Sequence, residues 1–171
     1  MLLTFKNLNR FLVLSFAALI LAACTTTPQD TASTSSSSSA SKVEVVDGVY
    51  VGTDTVEMLA VDVPDRVFFA YDSYSLTSAA QATLAKQAKW LKANGSVTIA
   101  IEGHADERGT REYNLALGER RANAVKDYLM SQGVASSKIT VISYGKERPV
   151  NPESSRLAWS QNRRSVTVKS K

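Results

Sequence analysis

Hydrophobic positions change their spacing four times along this chain, and each spacing predicts a different element. Behind Lys6 and Arg10, an unbroken apolar run from Phe11 to Ala23 has the length and flanks of a secretory signal, not of a spanning helix. The next stretch, TTTPQDTASTSSSSSAS from Thr25 to Ser41, holds almost nothing that could bury apolar surface against the entropy of ordering a backbone, and is expected to be a disordered tether. As a flexible coil its ends would lie on the order of 20 to 25 Å apart. Residues 43–63 carry short β-favouring runs (VEVV, VYV, TVEMLAV) broken by Asp47-Gly48 and Gly52, which predicts a small ribbon or ordered arm. From Pro64 onward, strand-like and helix-like periods alternate over a length normal for one domain. The organisation expected is therefore a signal over 1–23, a tether over 24–42, an arm over 43–63 and a folded domain over 64–171.

Within that domain, Val67 to Tyr71 suits a buried strand. Thr77 or Ser78 can cap a helix to about Ala93, with Ala80, Leu84, Ala88 and Leu91 inward and Lys86, Lys89 and Lys92 outward. Asn94-Gly95 is expected to end it through a left-handed glycine. Val97, Ile99 and Ile101 alternate as a second strand, and a loop carrying Asp106 follows. A long helix is predicted from near Thr110 to Gln132, stopped by Gly133, and a third strand over Ile139 to Tyr144. Residues 146–155, with Pro149 and Pro152, read as a loop, and Arg164 to Lys169 as a last strand through Val166 and Val168. The expected architecture is a mixed sheet with two main helices packed on it, an α+β or α/β sandwich without internal repeats.

Charge and cysteine usage narrow the picture. The chain has 20 basic and 16 acidic side chains, a net charge of +4. Loss of Lys6 and Arg10 with the signal leaves 18 against 16, so the mature charge is only +2 and no basic stripe with interleaved aromatics favours nucleic acid. Arg156, Arg163 and Arg164 form one basic cluster near the end, the kind usually found on a solvated surface. Cys24 is the single cysteine, which excludes a disulfide framework. It stands in Leu21-Ala22-Ala23-Cys24, which resembles the bacterial lipobox and implies cleavage before Cys24 and acylation of that residue. Burial of several acyl chains, at about 0.8 kcal/mol per CH2, would hold the chain stably at a membrane. In lipoproteins of this kind an Asp after the cysteine favours retention at the inner membrane; Thr25 here points to the outer one.

The segment GHADERGTREYNLALGERRANAV, from Gly103 to Val125, carries the chemistry. Rotation by about 100° per residue puts Tyr113, Leu117, Ala124, Val125, Tyr128 and Leu129 on one side of the helix, with Arg121 near the middle of that oily side and Asn114 on the same azimuth. An unpaired guanidinium removed from water costs several kcal/mol, so Arg121 must meet an acidic partner or open into a wet cleft. The nearest preceding acids, Asp106 and Glu107, lie on a loop punctuated by Gly103 and Gly109. A cleft holding Asp106 and Arg121 suits a zwitterion, with ammonium on Asp106 and carboxylate on Arg121. The alternative is that the two pair internally as a structural ion bridge. Glu102, His104, Asp106 and Glu107 also raise an enzymatic reading, in which Glu102 and Asp106 would hydrolyse a glycan. His104 is the sole histidine, however, and neither a triad nor HExxH spacing is present, so no metal or cofactor site is expected. His104 is expected to staple its loop through backbone carbonyls, and Trp90, Trp159 and the tyrosines to pack in the core or at its rim.

Several spaced motifs together resemble the OmpA-like peptidoglycan-binding domain. They are Val67-Phe68-Phe69-Ala70-Tyr71-Asp72, Ile101 through Thr110 (IEGHADERGT), Tyr113 through Gly118 (YNLALG), Arg121-Ala122-Asn123, Ser143-Tyr144-Gly145, Arg148-Pro149, Ala158-Trp159-Ser160 and Asn162-Arg163-Arg164. The likeness covers nearly everything after Pro64 and nothing before it. It implies an α+β fold of order βαβαββ and binding of the cell-wall stem peptide through diaminopimelate, an amino acid whose side chain ends in an ammonium and a carboxylate. It places Asp106 and Arg121 at those two charges, with Asp72, Tyr71 and Leu117 lining the pocket and loop amides completing it. A lysine in that stem position would leave Arg121 unpaired, at about 2 to 5 kcal/mol. The resemblance further implies a non-catalytic lipoprotein tethering outer membrane to wall in envelope integrity and division. Its implied partners are a TolB-like periplasmic β-propeller and other OmpA-like or Tol components. Motor stators share this fold, but they retain a spanning helix in place of a cleaved signal.

Overall fold

The computed structural model describes residues 45–170. The signal, Cys24 and the tether lie outside the described residues. The folded region is built on a four-stranded sheet whose strands are Arg66–Phe68 (β5), Ile99–His104 (β6), Ile139–Gly145 (β7) and Arg164–Lys169 (β8), in the spatial order β5-β8-β6-β7. β8 runs antiparallel to both β5 and β6, whereas β6 and β7 are parallel. Two long helices, Ser78–Ala93 (α1) and Arg111–Ser131 (α2), make the crossovers β5-α1-β6 and β6-α2-β7, as expected of a mixed α+β sheet.

Period explains the packing. Val67 and Phe69 from β5 and its extension, Ile99 and Ile101 from β6, and Ile139 from β7 form one face of the core. Against it α1 presents Ala80, Leu84, Ala88 and Leu91, the predicted stripe, and α2 presents Ala122, Val125 and Leu129. Thr77 caps α1 by accepting from Ala80 N at 3.2 Å, and Thr110 caps α2 by accepting from Tyr113 N at 3.2 Å. α2 ends ahead of Gly133, at φ 88°. α1 ends differently from expectation: Gly95 is not left-handed, and Asn94 closes the helix with its own side chain, donating to Trp90 O at 2.9 Å.

At Gly103 and Gly118, β6 and α2 approach each other backbone to backbone. A Cβ on Gly103 would collide with the Gly118 carbonyl, and one on Gly118 with Ser143 Oγ. Gly103 therefore serves close approach within β6, not loop freedom. Ser143 Oγ donates to Leu115 O at 2.7 Å and pins α2 to β7 at this crossing. The crossing fixes where the α2 face carrying Arg121 meets the end of β6.

The arm consists of two short hairpins, Val45–Val46 (β1) with Val49–Tyr50 (β2), and Met58–Ala60 (β3) with Val63–Pro64 (β4). Asp47 and Gly48 both take positive φ (50° and 75°), as a two-residue hairpin turn demands. Tyr50 packs edge-on against Phe68 at 4.7 Å between ring centroids; Phe68 alternates with Val67 and Phe69 and so points away from the helices. The arm thus covers part of the sheet's second face.

Three further expectations change. β5 ends at Phe68 and does not reach Tyr71: Phe69 N adds one more bond, to Arg163 O, and the chain then turns away through Asp72 at φ 51°. Val97 precedes β6 and is not part of it. A third helix, Arg156–Asn162 (α3), follows the proline loop, capped by Ser155 accepting from Ala158 N. The basic cluster is not a solvated patch, since Arg163 and Arg164 are buried where α3 hands over to β8.

Candidate functional site

The C-terminal end of β6, the loop after β5 and the first turns of α2 meet around Arg121. No part of Arg121 is exposed, yet it makes no salt bridge among the described residues. Its guanidinium donates to three backbone carbonyls: Nε to Ser73 O at 2.8 Å, Nη1 to His104 O at 2.8 Å and Nη2 to Ala70 O at 3.2 Å. A guanidinium carries five N–H groups, so two remain. Burial and the nearby Arg163 lower the Arg121 pKa to about 10, against the pull of Asp106 and Asp72, so it stays cationic at neutral pH. The internal Asp106–Arg121 ion bridge is not formed.

Asp106 pairs elsewhere. Its Oδ1 accepts from Arg108 N and Nε, both at 3.1 Å, and its Oδ2 from Arg108 Nη2 at 2.6 Å and Arg163 Nη1 at 3.1 Å. Burial alone would push this carboxyl up. The hydrogen bonds from Arg108 and Arg163 outweigh it and hold Asp106 below the usual carboxylate range. Arg163 is itself locked, donating to Phe69 O at 3.1 Å and Gly48 O at 2.7 Å. The Arg108 guanidinium lies between two rings, 4.2 Å from the centroids of both Tyr71 and Trp159.

These side chains surround a cleft of about 160 Å³. Its lining brings together all five residues singled out by the sequence for the ligand: Tyr71, Asp72, Asp106, Leu117 and Arg121. Arg108, Gly109, Tyr113 and Asn114 complete it. Arg121 lies fully buried at the floor of the cleft, while Tyr71 stands 63% exposed at the rim. Tyr113, expected on the oily side of α2, lies half exposed and donates its hydroxyl to Asp72 across the mouth. Asn114 does share the inward azimuth of Arg121 and donates to Arg108 O at 2.8 Å. Gly109, at φ 95°, supplies the backbone turn before α2.

His104 differs from expectation. Neither ring nitrogen has a hydrogen-bond partner, and the group it staples with is its backbone carbonyl, through Arg121. Burial, then the charge of Arg164, push its pKa down to about 3, with smaller pushes from the charges of Arg66 and Arg148; the Arg148 backbone pulls upward by more than either of those two. Glu102 lies 3.7 Å from His104 Nε2 and does not line the cleft. Glu107 faces outward, accepting from Trp159 Nε1 at 2.8 Å and Ser154 Oγ at 2.9 Å. Among the described residues no group of three or more His, Cys, Asp or Glu side chains is placed to hold a metal ion. Also among them, no helix is long and apolar enough to cross a membrane.

Arg163 and Arg108 are the site residues that sequence reasoning missed. Arg108 sits two residues from Asp106 and was legible as a local partner. Arg163 reaches Asp106 from 57 residues away, and only a buried strand start at Arg164 could have signalled it.

Fold and cleft together define a class, and comparison with known proteins agrees with it. Residues 68–163 match the OmpA family, and the chain belongs to that family. Within it, similar proteins include peptidoglycan-associated lipoproteins. That of Mesorhizobium japonicum is 59% identical over 108 residues, covering 63% of this chain and 64% of that one. That of Pseudomonas putida is 39% identical over 156 residues, covering 91% and 93%. The chain spans 64% and 61% of the length of the Mesorhizobium japonicum and Rhizobium meliloti relatives. The crystal structure of the peptidoglycan-associated lipoprotein from Burkholderia pseudomallei superposes with a TM-score of 0.61 at 43% identity, over 62% of this chain and 90% of that one. The C-terminal domain of Helicobacter pylori MotB, at 23% identity and a TM-score of 0.59 over 63% of this chain and 84% of that one, shares the fold alone.

Proposed function

We propose that the cleft binds the side-chain terminus of diaminopimelate in the peptidoglycan stem peptide, and that the protein is a non-catalytic tether between outer membrane and wall. One observation carries the reading: Arg121 is a fully buried cation that no acid neutralises, at the floor of a cleft that also holds Asp106 and Asp72. Once the side chains over the fully buried Arg121 part, a guest carboxylate receives its two unused N–H groups in the forked geometry that guanidinium favours. The guest's ammonium faces Asp106 and Asp72. A lysine side chain brings the ammonium without the carboxylate and leaves the buried charge unpaired.

In this reading Cys24 is acylated, the chain is anchored in the outer membrane facing the periplasm, and the tether lets the domain search the wall. A TolB-like β-propeller would compete for a surface overlapping the cleft, within the Tol-Pal system of envelope integrity and division. A hydrolytic role for Glu102 and Asp106 finds little support. Asp106 has both oxygens engaged and is held ionised, so it is a poor proton donor, and Glu102 does not reach the cleft. The test is a residue-by-residue titration of the protein with diaminopimelate-containing and lysine-containing stem peptides, beside co-sedimentation with sacculi. Binding of the first peptide alone, lost in Arg121→Ala, is the expected result; equal binding of both peptides, or release of soluble fragments from sacculi, overturns it.

A further inference from the structure

Asp106 is already occupied. Both of its oxygens are taken by arginines of the chain itself, and its side chain is only 5% exposed, so no ammonium can reach it in this arrangement. We infer that Arg108 is a resident cation in the ammonium subsite, and that a guest gains Asp106 only by displacing the Arg108 guanidinium into solvent. The inference rests on the reading of the cleft proposed above and adds the residue that sets its selectivity for a cationic group.

The two arginines on Asp106 are not equally free to leave. Arg163 is 6% exposed and bound to two further carbonyls from distant segments. Arg108 is 35% exposed, and beyond Asp106 only the faces of Tyr71 and Trp159 hold its guanidinium. Its backbone, by contrast, is fixed. Lys146 Nζ donates to Glu107 O at 3.2 Å and Gly109 O at 2.8 Å, Asn114 holds Arg108 O, and Trp159 and Ser154 hold the Glu107 carboxylate. The exchange is therefore a side-chain rotation on a braced loop. Departure of Arg108 trades one cation on Asp106 for another, and Arg163 keeps the carboxylate from being stranded. It also frees the inner face of Tyr71 to cover the methylene stem of the guest.

An exchange subsite rejects any guest without a cation, because a neutral group cannot replace the charge that Arg108 withdraws. It also weakens binding by the strength of the resident pair. The experiment is calorimetric titration of the full chain and of Arg108→Gln with a diaminopimelate-containing stem peptide, and with the same peptide acetylated on its side-chain amine. Arg108→Gln should bind the amine-bearing peptide about two- to fivefold more tightly, the worth of a partly exposed ion pair, and the acetylated peptide no better than the parent does. Arg108→Lys, which keeps the charge but loses the fork, should give a smaller gain of the same sign and covers the case in which the glutamine variant melts early. Weaker binding in both variants, or a gain equal for the two peptides, overturns the exchange while leaving the cleft assignment intact. Failure of the parent chain to bind the amine-bearing peptide removes the cleft assignment and the exchange with it.

Discussion

Arg66 and Arg121 are both buried arginines, and they are satisfied in opposite ways. Arg66 forks onto its neighbour, Nε to Asp65 Oδ1 and Nη2 to Asp65 Oδ2, each at 2.7 Å, with Glu57 3.6 Å away. Its charge is cancelled within the chain, so no uncompensated cation is left to draw a ligand. Arg121 receives only carbonyl dipoles, which hold the fork in place without cancelling its charge. Burial of a cation without an acid is costly unless something completes it. In the function proposed above, the contrast separates an architectural arginine from one whose electrostatic partner comes from outside, and it does so on partner type, since depth of burial is nearly the same.

The contrast breaks most sharply at Arg66. Arg66→Met leaves Asp65 buried and unpaired, and should destabilise the domain by about 3 to 5 kcal/mol, read by denaturant unfolding. The folded fraction should still bind sacculi normally. Adding Asp65→Asn to it should recover most of the loss, because both charges then go together. A single variant as stable as the parent would show that the pair carries no structural weight.

Arg121 should respond the other way. Arg121→Lys keeps a cation but cannot span three carbonyls and a guest carboxylate, so binding to a diaminopimelate-containing peptide should weaken by about 2 to 5 kcal/mol. Its midpoint of unfolding should move far less than that of Arg66→Met. Asp106 is a poorer probe of the same point, since its removal strands the buried Arg163 and confounds binding with stability.

How much of this was readable in the chain follows from the range of each interaction. Arg121 stood out because a charge interrupts a 3.6-residue stripe, a purely local signal, and its neighbour Asn114 shares that azimuth. The cap at Thr77 or Ser78, the helix start near Thr110 and its stop at Gly133 were legible for the same reason. The α3 helix was not, because seven residues make too short a window to show a stripe, and the prolines before it suggested a loop. Arg163 looked like one member of a surface basic cluster because its partners come from afar: antiparallel pairing of β8 with β5 and β6 brings Phe69 and Asp106, and the β1–β2 turn brings Gly48. Tyr113 fell on the predicted apolar side yet faces the cleft mouth. It sits in the first turn of α2, where the helix overhangs the open cleft and the sheet no longer covers that face.

Gly118 sharpens the comparison by acting on one region only. Gly118→Ala drives a methyl group into Ser143 Oγ and the Gly103 carbonyl, lifting α2 from the end of β6. Overpacking of this kind costs about 1 to 3 kcal/mol. Since Arg121 donates to His104 O across the same crossing, peptide binding should fall along with stability, whereas the Asp65–Arg66 pair on β5 should keep its geometry. Crystal structures of the variant, or backbone amide shifts confined to α2, β6 and β7, check the direction. Disturbance centred on Arg66 would contradict it.

His104 lies between the two arginine regions and reports on both through pH. Its ring is neutral in the folded state, with the pKa down at about 3 through burial and the charges of Arg164, Arg66 and Arg148, and with the Glu102 carboxylate 3.7 Å from its Nε2. In the unfolded chain it titrates near its ordinary value of 6.5. The folded form therefore binds fewer protons between those two values, so its contribution is complete above about pH 6.5 and is lost as pH falls toward 3. One proton corresponds to a slope of about 1.4 kcal/mol per pH unit. In His104→Gln that part of the slope between pH 6.5 and 4.5 should vanish, whatever the variant's absolute stability. The remaining acid sensitivity should begin lower, near the ordinary value of 3.8 at which Asp106 takes a proton in the unfolded chain, and end where the native carboxyl, held down by Arg108 and Arg163, takes up its own. An unchanged slope in the variant would mean that His104 is hydrated and charged in the native state, and that the sheet face opposite the helices is open to water at Arg164.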